Sequence, residues 1–289
     1  MTVIVPGVYD MPETEYFADP IDGGSLSHSG IKKLLEAPAK FHHEQVNGTT
    51  TFKDVFDFGS AAHAAVLGVG DIDWHPFDSW RSADAKAAQA ESRANGRTPM
   101  LDKEKAKVDE LAAALQAHPT AAALLDPDSG KPEQSIFWEA DGITKRARVD
   151  WLPHWEGKDR LNVSDYKTTT DGGAVTTAFE KSVVNYGYHS QHAFYTEGIR
   201  AVTGIADVRF VFIVQEKVAP YLVNVVELSP ELQTMGEQRC ERGVTVFKEC
   251  VTTGVWPGYG NNVDKAICPV WATYEHEANL QAWGMEART

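Results

Sequence analysis

Cysteine is scarce and poorly placed for cross-linking. The 289 residues hold three, Cys240, Cys250 and Cys268, all late in the chain and none at CxxC spacing. This excludes a disulfide framework or a zinc knuckle and reads as reduced thiols. Also missing are a charged-then-apolar leader and any apolar run near the roughly 18 residues of a membrane helix. The expectation is a soluble, cytoplasmic protein with no membrane partner. Basic charge is in deficit: 27 Lys and Arg face 41 Asp and Glu, for a net charge of −14 and a pI near 5.1. Such a chain is not built to coat nucleic acid through a global field, so contact with DNA needs a local basic channel. No internal repeat is visible.

What is present supports one large domain with appendages, since 43% of the residues are hydrophobic. Residues 1–25 are rich in Pro, Gly and Asp and read as an extended arm. A domain over 26–254 follows, with a largely helical insertion at about 71–118, and a Trp-, Pro- and Gly-rich tail over 255–289 packs on it. Leu26-Ser27-His28-Ser29 opens a helix that Ser27 or Ser29 can cap, and Pro38 kinks or ends it. Residues 54–68 form a small-residue helix with His63 among alanines, where a histidine is usually a satisfied core residue. The adjacent His42 and His43 splay on a helix and read as surface. Trp74, Trp80, Arg81, Arg93 and Arg97 in the insertion suit a solvated lid or crossover better than stacking on nucleic acid.

The stretch Arg146–Thr170 organises the chain. Glu133–Ala140 reads as a strand, and Asp141-Gly142 is a hairpin signal leading into the strand ending at Asp150. A further strand ends in Asp165-Tyr166-Lys167. Side chains alternate across a strand, so Asp165 and Lys167 share a face and Tyr166 takes the other. If the strands pair, Asp150 meets that face. Two carboxylates beside a lysine suit Mg²⁺ or Mn²⁺, and the lysine would orient or deprotonate a water. Arg146 and Arg148 lie on the face of Asp150, as ion-pair partners or as phosphate contacts. Residues 174–203 read as helix, broken near Gly187, with Gln191 and Tyr195 one turn apart on one face; alone, such a face is more often packing than a site. Strands at 207–216 and 220–228 precede a helix started by Ser229 and Pro230. The order predicts an α/β (α+β) fold, a mixed sheet of about five strands flanked by helices.

The segments LSHSGIKKLLEAPAKFHHE, FDFGSAAHAAVLG, EQSIFWEADGITKRARVDWL, VSDYKTTTD and YHSQHAFYTEGI, in this order and spacing, resemble the PD-(D/E)xK nuclease superfamily. More narrowly they are similar to RecE-type (exonuclease VIII-like) exonucleases of phages and prophages. The resemblance spans about residues 25–230 and implies a restriction-endonuclease-like core. It reverses the local reading of His63, Gln191 and Tyr195. It implies that Asp150, Asp165, the Tyr166 carbonyl and His63 ligate metal, and that Glu133 serves a second metal or its waters. Lys167 would position or activate the attacking water, while Gln191 and Tyr195 hold the DNA phosphate or end nucleotide. It further implies Mg²⁺-dependent 5′→3′ digestion of linear double-stranded DNA, leaving 3′ tails for recombination by strand annealing. The implied partners are duplex DNA ends, a RecT-type single-strand annealing protein and further copies of the chain in a ring-like homo-oligomer. Some relatives carry an iron–sulfur cluster on four Cys; three late Cys predict none here. A PD-(D/E)xK endonuclease, a single-strand nuclease and a catalytically silent DNA-binding subunit are the competing readings.

Overall fold

The structure is a computed structural model that describes residues 5–47 and 57–285. The expected helix over 54–68 therefore begins, in part, outside the described residues. Two compact units are present, residues 1–256 and residues 257–289. Among the described residues no helix is long and apolar enough to cross a membrane.

The arm is less extended than its composition suggests. It holds a strand β1 (Gly7–Tyr9) and a short helix α1 (Glu13–Phe17). Next come a two-residue strand β2 (Leu26–Ser27) and helix α2 (His28–Glu36), whose cap is Ser27: its Oγ accepts from the Gly30 N–H at 3.2 Å. Pro38 starts a new helix, α3 (Pro38–Asn47), at the position where its missing N–H costs nothing. Helix α4 (Asp57–Leu67) carries His63. The insertion contains β3 (Ile72–His75), α5 (Ala83–Ala94) and β4 (Thr98–Leu101), with β3 and β4 forming a separate parallel pair. Two of its arginines are engaged by carboxylates: Arg93 pairs with Asp57 of α4 and Arg97 with Asp73. Helices α6 (Lys105–Gln116) and α7 (Pro119–Leu124) complete this region.

The central sheet is built from β5 (Gly130–Ala140), β6 (Ile143–Pro153), β7 (Arg160–Thr169), β8 (Asp207–Glu216) and β9 (Val223–Glu227). These are the five strands that the pattern predicts; β1 and β2 bring the sheet to seven, in the order β1-β5-β6-β7-β8-β9 with β2 on β6. The sheet is mixed: β5, β6 and β7 are antiparallel neighbours, β7 and β8 are parallel, and β9 returns antiparallel. Asp141 and Gly142 both have positive φ, which turns the β5–β6 hairpin tightly. Helices α8 (Thr176–Tyr186) and α9 (Tyr188–Thr203) bridge β7 to β8, and α10 (Pro230–Thr253) follows, with the Ser229 cap and Pro230 first turn as expected. In the second unit the tail forms α11 (Val270–Ala282), a helix its composition did not announce.

Both faces of the sheet are covered. Ile136, Trp138, Val149, Val163 and Phe212 join Ile31, Phe179, Phe194 and Val244 of the helices in the larger core. Trp151, Tyr166 and Ile213 meet Ala62, Val66, Leu111 and Leu115 in the smaller one. One edge of β6 has two neighbours. It pairs with β7 at Trp151↔Ser164 and with β2 at Leu26↔Lys145 and Ser27↔Arg146. Strands β6 and β7 therefore separate beyond Asp150. Along β6 the alternation slips at that point, since Val149 and Trp151, two residues apart, belong to different cores. The splay opens a cleft between two strands inside an otherwise continuous sheet.

Candidate metal centre

The residues singled out in the sequence meet at this splay. The Trp151↔Ser164 pairing puts Asp150 beside Asp165 on neighbouring strands. Because β6 has moved away, the Tyr166 main-chain N–H is not used by a β6 carbonyl and donates to Asp150 Oδ2 at 2.8 Å. Helix α4 lays His63 over β7, its ring 4.9 Å from the Tyr166 ring and its Nδ1 3.9 Å from Asp150 Oδ2. The Tyr166 carbonyl faces the same imidazole as a hydrogen-bond acceptor. On the other side, β5 contributes Glu133. One ligand atom each of His63, Glu133 and Asp150 lies within 4.8 Å of the others.

Glu133 reaches this position through an unusual backbone. Its φ is +50°, and the β5–β6 register skips the Glu133/Asp150 pair between Gln134↔Val149 and Pro132↔Trp151. A non-glycine residue in the left-handed region costs about 1–2 kcal/mol. The Arg148 guanidinium, 2.6 Å from Glu133 Oε2, holds the conformation while also donating to Ser135 Oγ and the Met11 carbonyl.

Asp165 stands next to this cluster but is otherwise engaged. Lys167 Nζ lies 2.5 Å from its Oδ1, and Gln191 Nε2 donates to its Oδ2 at 2.6 Å. Tyr195 follows Gln191 one turn along α9. Of the pair expected at the DNA, Gln191 thus also supports Asp165. Arg146 is not brought to the cluster. Its guanidinium binds Asp19, Ser25 Oγ at 2.6 Å and the Ser25 carbonyl, over the Tyr16 ring, which ties the arm to β6. Arg148 touches the site through its bond to Glu133.

The electrostatics show what this cleft is short of. Burial, followed by repulsion from Glu133 or from Asp150, pushes the Asp150 and Asp165 carboxyls up to about 6, against the pull of Lys167. Burial opposes the charge on Lys167, but Asp165 and Asp150 outweigh it and hold its pKa above the ordinary lysine value. Burial and Lys167 lower the His63 pKa. Three carboxylates and a neutral imidazole around one ammonium leave excess negative charge that a divalent cation would neutralise. The donor set of carboxylate oxygens, a main-chain carbonyl and one imidazole fits Mg²⁺ or Mn²⁺, the nitrogen favouring the softer ion.

Two nearby groups escaped the sequence reading. Helix α2 brings His28 and Lys32 towards Lys167: burial, Lys32 and Lys167 push His28 down to about 3, and burial and Lys167 lower Lys32. The segment LSHSGIKKL carries both residues, but nothing in it reveals that α2 docks against α9, where His28 Nε2 meets Ser190 Oγ at 3.0 Å. The Tyr188 ring lies 5.1 Å from Lys167 Nζ.

A family model described as "PDDEXK-like domain of unknown function (DUF3799)" matches residues 27–268. Among solved structures, a protein of Eubacterium rectale described as a "Putative exonuclease" superposes with a TM-score of 0.58 at 14% identity, covering 92% of this chain and 98% of its own. That likeness is one of fold. No curated protein matches the sequence.

Proposed function

This chain belongs to the PDDEXK-like (DUF3799) family, and on that premise we propose that it is a metal-dependent deoxyribonuclease, an exonuclease acting 5′→3′ on linear duplex DNA. The observation that carries the reading is the meeting of His63, Glu133 and Asp150 beside the Asp165–Lys167 pair in one cleft. The fold shared with the E. rectale protein supports it.

His63, Glu133 and Asp150 would hold the cation, with Asp165 and the Tyr166 carbonyl at its side. When bound, Mg²⁺ or Mn²⁺ supplies Lewis-acid stabilisation of the phosphorane charge and an acidified water. The chain's own groups do the rest. Lys167, kept as an ammonium by Asp165 in this arrangement, donates to the attacking water or a non-bridging phosphate oxygen, a role of orientation and charge stabilisation rather than of a base. Gln191 fixes the Asp165 rotamer. Tyr166 N–H and Arg148 aim Asp150 and Glu133, so the anionic groups are preorganised before substrate arrives.

The polarity, the 3′ tails handed to a strand-annealing protein and the ring-like homo-oligomer are part of the proposal and rest on the resemblance of the motifs. Linear duplex labelled at either end, incubated with Mg²⁺ and with chelator, tests it. Release of the 5′ label first, only with metal, and an untouched closed circle are expected. Cleavage of the closed circle would make the protein an endonuclease, and a Lys167→Ala protein as active as the parent would remove the mechanism.

A further inference from the structure

Beside Lys167 the acidic cleft is flanked by a surface of opposite character, made by α2, α8 and α9. Tyr186 is the last residue of α8, and Gly187, with φ +76°, turns the chain at once into α9. The turn leaves Tyr186 standing in solvent, 58% exposed. Behind it the Tyr188 ring lies 5.7 Å away, stacked on Phe179, packed on Phe212 and 5.1 Å from Lys167 Nζ. Tyr186 is thus one ring removed from the lysine of the metal centre, against a neighbour that packing holds still.

Lys32 of α2 crosses the same turn. Its Nζ donates to the Tyr186 carbonyl at 2.7 Å, and its stem runs over Gly187, where a Cβ would lie 3.4 Å from Lys32 Cδ. Capping the end of α8 in this way uses one of the three ammonium donors and leaves two. Partial burial, then Lys167 and then Arg239 of α10 lower the Lys32 pKa, so Lys32 stands in the field of two other cations. Neither Lys32 nor Arg239 forms a salt bridge among the described residues. In a chain of net charge −14 this is a local concentration of unpaired positive charge, which an anionic polymer needs in order to approach.

We propose that Tyr186 and Lys32 form a subsite for an unpaired DNA strand leading into the cleft. A base close to the scissile phosphate stacks on Tyr186, and Lys32, with Arg239 adding charge, receives the adjoining phosphate. Stacking accepts any base, since every base has a π-face, and a lysine on a phosphate carries no sequence information. Inside an intact duplex the base faces are covered by their neighbours. The ring therefore selects a strand that has come away from its partner, which is the strand an exonuclease takes in. The inference rests on the nuclease reading of the metal centre and adds to it the residues that guide the strand.

Binding tests this without turnover. A dye-labelled oligo(dT) of about twelve nucleotides is titrated with the full chain in Ca²⁺, an oxygen-seeking ion, and its anisotropy is read at several salt concentrations. Tyr186→Ala should weaken binding about 5- to 150-fold, the worth of one stacked base, and Tyr186→Phe should bind as the parent does. Lys32→Gln should flatten the slope of log K against log salt by about 0.7, the share of one phosphate on a single strand. On a blunt duplex of the same length Tyr186→Ala and the parent should bind alike. Tyr186 and Lys32 are both exposed, so their variants fold. No binding by the parent, full affinity in Tyr186→Ala, Tyr186→Phe as weak as Tyr186→Ala, an unchanged slope in Lys32→Gln, or an equal loss on the blunt duplex would each overturn the subsite. The nuclease reading is judged separately, by metal-dependent digestion with the parent protein, and survives all of these results.

Discussion

Gln191 Nε2 donates to Asp165 Oδ2 at 2.6 Å, a neutral donor on a buried carboxylate whose other oxygen faces Lys167. Replacing Gln191 with Leu removes a bond to a charged group in a buried setting, for a cost of about 1.5–3 kcal/mol. It also frees the Asp165 rotamer. Activity should fall about 10–100-fold, as for other groups that orient metal-site carboxylates. Gln191→Glu should be worse, since it adds a fourth carboxylate. Unfolding curves and Mg²⁺-dependent digestion of linear duplex measure both; an unaltered rate in Gln191→Leu would show that Asp165 needs no such support.

Asp150 and Asp165 sit at about 6 in the fold, raised by burial first, against an ordinary value of 3.8. Between those limits the folded state therefore holds more protons than the unfolded one, so the metal-free protein loses stability as pH rises from about 4 to 6. A divalent cation must displace the same protons. Calorimetry with Mn²⁺ in buffers of different ionisation enthalpy should detect proton release at about pH 5.5 and little at about pH 7.5, with affinity climbing between. Affinity independent of pH over this range would contradict the raised values.

Arg146 distinguishes two roles. In the structure it clamps Asp19 and Ser25 of the arm. Removing one partner of a largely buried pair costs about 3–5 kcal/mol, so Arg146→Ala should lower the melting temperature and loosen residues 5–25 to proteolysis. Were Arg146 a phosphate contact, the salt dependence of DNA binding would weaken by about one counterion with stability retained.

Helix α10 passes so close to α9 that a Cβ on Gly236 would lie 2.0 Å from the His189 carbonyl oxygen. Backbone cannot swing aside as a side chain can, so Gly236→Ala should cost at least the about 1–3 kcal/mol of ordinary overpacking. Because α9 carries Gln191, activity should drop with stability. A fully stable and active Gly236→Ala protein would show the helix crossing to be looser than drawn.

Much of the fold is legible where the signals are local. Asp141-Gly142 marks the hairpin, Ser229-Pro230 the start of α10, and the alternation of Asp165 and Lys167 their common face. What is not legible depends on distant partners. Nothing around Leu26-Ser27 says that two residues will displace β7 from the edge of β6, yet that exchange opens the cleft. Glu133 reads as an ordinary strand residue, because its left-handed backbone comes from packing and from Arg148 rather than from propensity. The residues of the arm predict extension, but Tyr16 and Met11 find Phe137 and order it into a strand and a helix.

The central claim is that His63, Glu133 and Asp150 share one cation beside Lys167. Crystals grown with Mn²⁺ and measured at its absorption edge give the direct test. The account predicts an anomalous peak bounded by these three side chains, absent in Asp150→Asn. A protein that digests DNA while manganese occupies some other place, or no place in this cleft, would contradict it.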